Sequence, residues 1–218
     1  MKLKKIASLM LAGVMAVSML AGCSNGTKPD EPDNPVAPVT TNLAGYVNGL
    51  LSEDVTKNIK FTDDTELRAA LAAVAGKSSN VSSSDIQTKN TTVDVTKGGN
   101  VTLGNKVKAE FTSGVITVSG LAGWIDDDAT SNDGVASYLE VYVLDGDMTE
   151  MNVASAMVDS WNTYLGQMTS TSVSGKKCDW AGSVSAVKVY DNTDPDTSAW
   201  VLGVMITKTV SDIANTVE

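Results

Sequence analysis

Ser137-Tyr138-Leu139-Glu140-Val141-Tyr142-Val143-Leu144-Asp145-Gly146-Asp147-Met148-Thr149-Glu150-Met151 carries a strand, a turn and the start of a helix in one run. Residues 137–144 alternate, with Leu139, Val141 and Val143 on one side and Tyr138, Glu140 and Tyr142 on the other. The period of two is that of a strand whose two faces differ. Asp145-Gly146 turns the chain, and Asp147 with Glu150 has the spacing of a capping box. Met151, Ala154, Met157, Val158, Trp161, Leu165 and Met168 then recur at helical spacing and predict a long amphipathic helix.

Toward the C-terminus, a polar loop containing Cys178 leads to an alternating strand over 183–190 and an acidic turn over 191–197. Residues 199–209 are apolar without alternation (Trp200, Val201, Leu202, Val204, Met205, Ile206), which predicts a central strand covered on both faces. Residues 211–218 read as a short helix or a fraying tail. Toward the N-terminus, Val93/Val95, Val101/Leu103, Val107/Ala109/Phe111 and Ile116/Val118 suggest four short strands. Gly104-Asn105 supplies a two-residue hairpin turn among them.

Before that meander, residues 77–90 are polar and read as a loop or junction. Leu43, Tyr46, Val47, Leu50 and Leu51 share one face of a short helix, and residues 57–61 alternate as a strand. Asp63 with Glu66 opens a second helix whose stripe is Leu67, Leu71 and Val74, ended by Gly76. The expected fold is therefore α+β: a mainly antiparallel sheet of about six or seven strands, with a long helix packed on one face. A small helical N-terminal part, 42–90, precedes the α+β domain, 91–218, and either covers the other face or forms a separate lobe.

Residues 1–41 have a different character. Three lysines (Lys2, Lys4, Lys5) precede an uncharged stretch over 6–21, the layout of a secretory signal. Its 16 residues fall short of the roughly 20 that a permanent transmembrane helix needs. The exit, Leu20-Ala21-Gly22-Cys23, resembles the lipobox of bacterial lipoproteins. That resemblance covers about a tenth of the chain. It implies cleavage after residue 22, diacylglycerol on Cys23 and further acylation such as palmitate. The mature chain would then sit on the extracytoplasmic side of the cell membrane, held by more than one acyl chain as stable anchoring requires. Residues 23–41, with four of the five prolines, read as an extended tether.

Composition narrows the chemistry. The chain has 16 basic and 26 acidic residues, and loss of residues 1–22 removes three lysines and no acid, so the net charge moves from −10 to −13. Such a body repels nucleic acid, which leaves the membrane, reached through the lipid anchor, and an envelope polysaccharide or protein as partners. There is no histidine, which removes Ser-His-Asp and Cys-His nucleophile systems and His-ligated zinc. With Cys23 assigned to lipid, Cys178 has no intrachain disulfide partner. No cofactor motif occurs.

Three constellations remain. Asp126-Asp127-Asp128 with Asn132 and Asp133, Asp145 with Asp147, and Asp191, Asp194 and Asp196 are oxygen-rich. An EF-hand loop counted from Asp126 would need Gly at position 6 and Glu at position 12, where Ser131 and Ser137 stand, so no metal site is assigned. Tyr138, Glu140 and Tyr142 place a carboxylate between two aromatics on one strand face, a surface suited to gripping a sugar ring, or else the polar side of a half-exposed sheet or of one covered by the first helices. Trp124, next to the acidic loop, is a further candidate for an exposed binding aromatic. Glycoside hydrolysis needs two carboxyl groups and no histidine, and Glu140 with Glu110 would be the pair. Near Cys178, Lys176 and Lys177 could activate the thiol, although a lone cysteine beside Trp180 also reads as a small buried hydrophobe. The expected function is a non-enzymatic binding or interaction module on a lipid anchor. A carbohydrate-active domain and a structural subunit of an envelope assembly are the alternatives.

Overall fold

The computed structural model describes residues 34–37, 41–112, 114, 116–126, 134–169 and 176–212. The chain runs β1 (Val36–Ala37), α1 (Leu43–Leu50), α2 (Glu53–Thr56), β2 (Phe61–Asp63), α3 (Thr65–Ala75), α4 (Ser83–Ile86) and α5 (Val101–Ala109). There follow β3 (Ile116–Thr117), α6 (Leu121–Asp126), β4 (Val135–Asp145), α7 (Glu150–Leu165), β5 (Lys176–Tyr190) and β6 (Ser198–Asp212). The fold is α+β, with several helices and one mostly antiparallel six-stranded sheet. Its strand order is β1-β5-β6-β4-β3, with β2 also on β5; the β2–β5 and β3–β4 pairs are parallel.

β6 is central because it has no face or edge to spare. It pairs along its length with β5, and over residues 199–209 with β4. Its side chains are apolar on both faces, as a doubly covered strand requires. On one face Tyr138, Glu140, Tyr142 and Leu144 lie opposite Ile206, Val204, Leu202 and Trp200. The buried residues of α1, α6 and α7 share the core on that face. Leu139, Val141, Val187 and Val201 join the second core, to which α3, α4 and α5 contribute. All the described residues lie in one compact unit, Pro32–Glu218.

Two expectations are corrected. Tyr138, Glu140 and Tyr142 do not form the polar side of a half-exposed sheet: all three are buried. The meander over 93–111 is also absent. Residues 95–97 form a 3-10 turn, and 101–109 form α5, capped by Asn100, whose Oδ1 accepts from the Leu103 amide at 3.0 Å. The apolar positions fit both periods over so short a window, and the cap decides for the helix. Gly104-Asn105 falls inside α5, where Gly104 packs close to Val118 instead of turning a hairpin. Of the four short strands, a two-residue β3 is formed, at Ile116–Thr117.

The helix starts differ by a residue or two. Asp64 rather than Asp63 caps α3, accepting from Glu66 N at 2.9 Å and Leu67 N at 3.0 Å. Thr149 rather than Asp147 caps α7, through the Asn152 amide. The reciprocal capping box found is Ser82 with Asp85, at the start of α4, within residues expected to be loop.

Part of the expected tether belongs to the sheet. Asn34 is buried, donating from its amide to Gly76 O at 2.8 Å and from Nδ2 to Ala75 O and Val81 O. Val36 and Ala37 then pair with Val189 and Lys188 of β5.

The turn after β4 admits no side chain at Gly146. A Cβ there would land on the carbonyl oxygen and hydroxyl of Ser198, where the Gly146 amide already donates at 3.1 Å. Gly146→Ala is expected to cost about 1–3 kcal/mol, since backbone must shift to relieve the overlap. Chemical denaturation of the variant measures it.

Candidate functional site

Glu140 is the most unusual side chain of the core, a carboxylate that is 1% exposed. Its neighbours two residues away on β4 supply the hydrogen bonds. Tyr138 Oη donates to Glu140 Oε1 at 2.6 Å, and Tyr142 Oη donates to Oε2. From α7, Trp161 Nε1 donates to Tyr142 Oη at 3.2 Å, and its ring meets Tyr138 edge-on at 6.4 Å. The two sides thus interlock: the strand period sets three polar tips in a row, and the helix period aims an indole N–H at one of them.

Loss of hydration raises the Glu140 carboxyl above its ordinary value. The tyrosine hydroxyls oppose that shift without cancelling it, and the negative charge of Asp94 adds to it. Tyr138 and Tyr142 are themselves pushed up by burial and by the adjacent carboxylate. No ion pair to Glu140 is found among the described residues.

Trp124 belongs to the same cluster. It sits in α6, buried rather than displayed, 5.5 Å from the Tyr138 ring and 6.0 Å from the Trp180 ring. The ammonium of Lys208, itself buried, lies 4.8 Å from the Trp124 ring centre and donates to the Trp124 carbonyl at 2.7 Å. The structure therefore brings together Tyr138, Glu140, Tyr142 and Trp124, but within the core. Glu110 is not with them: it is the exposed C-cap of α5. Cys178 is a buried residue of β5, in keeping with the small-hydrophobe reading.

The acidic positions are used locally. Asp145 and Asp147 share Lys89, at 3.4 and 3.2 Å. Asp191 accepts from Thr193 N, Thr193 Oγ1, Ser83 Oγ and Gln87 Nε2, bonds that hold its carboxyl below the usual range and tie α4 to the β5–β6 turn. Asp126 ends α6, while Asp127, Asp128, Asn132 and Asp133 lie outside the described residues, as does Cys23. Among the described residues no group of three or more acids and cysteines could hold a metal ion, and no helix is long and apolar enough to cross a membrane.

A strap formed by residues 94–100 lies over the free edge of β4. Asp94 caps its 3-10 turn, the Val95 amide donates to Ser160 Oγ of α7 at 2.9 Å, and the Asn100 amide donates to Val141 O at 2.8 Å. Gly98 and Gly99 both take left-handed φ, +77° and +56°. At Gly99 a Cβ would also lie 2.8 Å from Val141 O, so close backbone approach and backbone conformation both demand glycine. The strap completes the edge that the two-residue β3 leaves unpaired, a common way of shielding a sheet.

On either side of the strap lies a hollow. One is an open groove of about 730 Å³, lined by Asn90, Thr92, Asp94, Asn100, Thr102 and Tyr142, among others. The other, about 220 Å³, is lined by Tyr138, Tyr164 and residues 119–123. Lys97 and Val101 line both. Each tyrosine that binds Glu140 therefore borders one hollow. This groove was not among the sequence candidates, although its Thr/Asn/Asp-rich run over 90–102 is visible there.

Comparison with protein-family models, with curated proteins and with solved structures finds no match for this chain.

Proposed function

We propose that the protein is a membrane-anchored extracytoplasmic lipoprotein whose domain is a binding module, using the 730 Å³ groove to hold a polar, hydroxyl-rich ligand such as an envelope polysaccharide. The groove carries the reading. Its volume falls in the range of ligand sites, and amide, hydroxyl and carboxylate side chains surround the Tyr142 wall. The paired-glutamate reading has no comparable support, with Glu140 in the core and Glu110 exposed on α5.

The anchor rests on Leu20-Ala21-Gly22-Cys23. Cys23→Ala is expected to move the protein from the membrane fraction to the medium or to leave an uncleaved precursor. Unchanged membrane partitioning would refute the anchor. For the groove, the exposed Thr102 on α5 is the place to intervene. Thr102→Trp should fill the groove and abolish retention on insoluble peptidoglycan while leaving the melting temperature within a few degrees of the parent. Equal retention of parent and variant, or none by either, would contradict the groove reading.

A further inference from the structure

The strap of residues 94–100 bridges α7 and β4, from Val95 N on Ser160 Oγ to Asn100 N on Val141 O beside the buried Glu140, and its residues line both hollows. We propose that the strap of residues 94–100 is a gate that opens when Glu140 becomes charged, joining the two hollows into one cleft floored by Tyr138, Glu140 and Tyr142. The proposal concerns access to the groove assigned above and rests on that reading for its consequence, although the gate itself needs no ligand.

The closed form suits a neutral carboxyl. The residue is sealed from water, and although its two oxygens accept from tyrosine hydroxyls, which favours the charged form, the loss of hydration outweighs them. A charged carboxylate at the same place lacks the hydration that it would have outside, and burial of that charge is costly. The strap is neutral overall, with Asp94 paired to Lys97, but the Asp94 carboxyl is held down to about 2 by Thr96 and Lys97 and its negative charge acts on Glu140. Ionised Glu140 and Asp94 therefore repel each other, and moving the strap outward relieves both the repulsion and the lost hydration.

Few bonds hold the strap. Val95 N to Ser160 Oγ and Asn100 N to Val141 O fasten its ends, and between them lie the two left-handed glycines. Val95 is the buried apolar plug that would leave the core on opening.

The titratable and charged groups around Glu140 leave it as the group whose charge changes as pH rises above the ordinary carboxyl value. Tyr138 and Tyr142 from β4 are raised and remain neutral. Asp94 on the strap is already ionised and pairs with Lys97 at 3.0 Å. From α7 come Trp161 and Tyr164, which faces Tyr138. Beyond Trp124 is Lys208 of β6, seated on the Trp124 carbonyl. Because the folded-state carboxyl is raised, the neutral closed form dominates at low pH, and opening grows as pH rises through that raised value.

Hydrogen exchange on the intact protein tests the gate. The reporters are the amides of Val95, Lys97, Gly98 and Asn100, each a donor in the closed strap. Protection is corrected for intrinsic exchange rates and referred to amides in the middle of α7. From pH 4.5 to pH 8 the strap is expected to lose at least ~10-fold in relative protection, the equivalent of one pH-unit-sized change in an opening equilibrium. In Glu140→Gln the loss should vanish, and in Asp94→Asn it should shrink severalfold. Unchanged relative protection in the wild-type protein overturns the gate, whatever the variants do. So does an equal loss in a folded Glu140→Gln protein. Should Glu140→Gln fail to fold, Asp94→Asn decides, and a loss as large as in the wild type would refute the proposal.

Discussion

Trp161→Ala should remove about 3–5 kcal/mol of stability, the cost of deleting a large aromatic from a packed core. Trp161 is fully buried on α7, edge-on to Tyr138, and its indole N–H is the donor to Tyr142 Oη. The substitution therefore leaves a cavity and withdraws one bond from the hydroxyl that serves Glu140. With native stabilities of order 5–15 kcal/mol, such a loss takes away a large part of the total. Its neighbour supplies the control. Asn162 is exposed, and Asn162→Ala should stay within about 0.5 kcal/mol of the parent. Urea denaturation of both variants checks the contrast. A Trp161→Ala protein as stable as Asn162→Ala would show that α7 does not close this core.

The second large effect belongs to Glu140. Glu140→Ala leaves the Tyr138 and Tyr142 hydroxyls facing an emptied pocket, and is expected to cost about 2–4 kcal/mol in mildly acidic solution. The cost should depend on pH with a definite sign. A carboxyl raised in the folded state adds most to stability below its ordinary value of 4.5, where it is neutral in both states. That contribution is lost as pH rises through the raised folded value. The advantage of the wild type over Glu140→Ala should thus be largest near pH 4 and smaller at pH 8. Asp191 has the opposite sign: its lowered carboxyl contributes above the ordinary range and is lost in acid. Both proteins contain Asp191, so its contribution cancels in the comparison. Stability curves for wild type and Glu140→Ala that run parallel from pH 4 to 8 would contradict the raised carboxyl.

Much of the fold could be read in the sequence, because long periodic segments determine their own class. The alternation over 137–144, the apolar run over 199–209 and the helical stripe from Ala154 to Leu165 all correspond to elements of that type. Short segments did not separate so well. Over 93–111 a few valines and leucines fit either period, and what decides is local capping by Asp94 and Asn100 together with the packing of Gly104 on Val118.

The candidate site was legible in its members and misread in its environment. Tyr138, Glu140 and Tyr142 do share a strand face, as alternation requires. A charged residue in the pattern suggested solvent on that side, whereas Trp161, 19 residues beyond Tyr142 on α7, covers it. Nothing local to β4 announces that cover. The strap and the Asp191 clamp were equally hidden, since each joins parts of the chain far apart in sequence: Val95 to Ser160, and Ser83 to Asp191.

The account of the site stands on one carboxyl being held from water between two tyrosines. Carbon-13 NMR of the Glu140 side-chain carboxyl, assigned by its absence in Glu140→Gln, follows its titration directly. The account predicts a midpoint above the ordinary 4.5, moving back toward it when Val95→Gly admits water and further up when Tyr142→Phe withdraws a hydrogen bond from the carboxylate. A wild-type midpoint at or below 4.5 would contradict it.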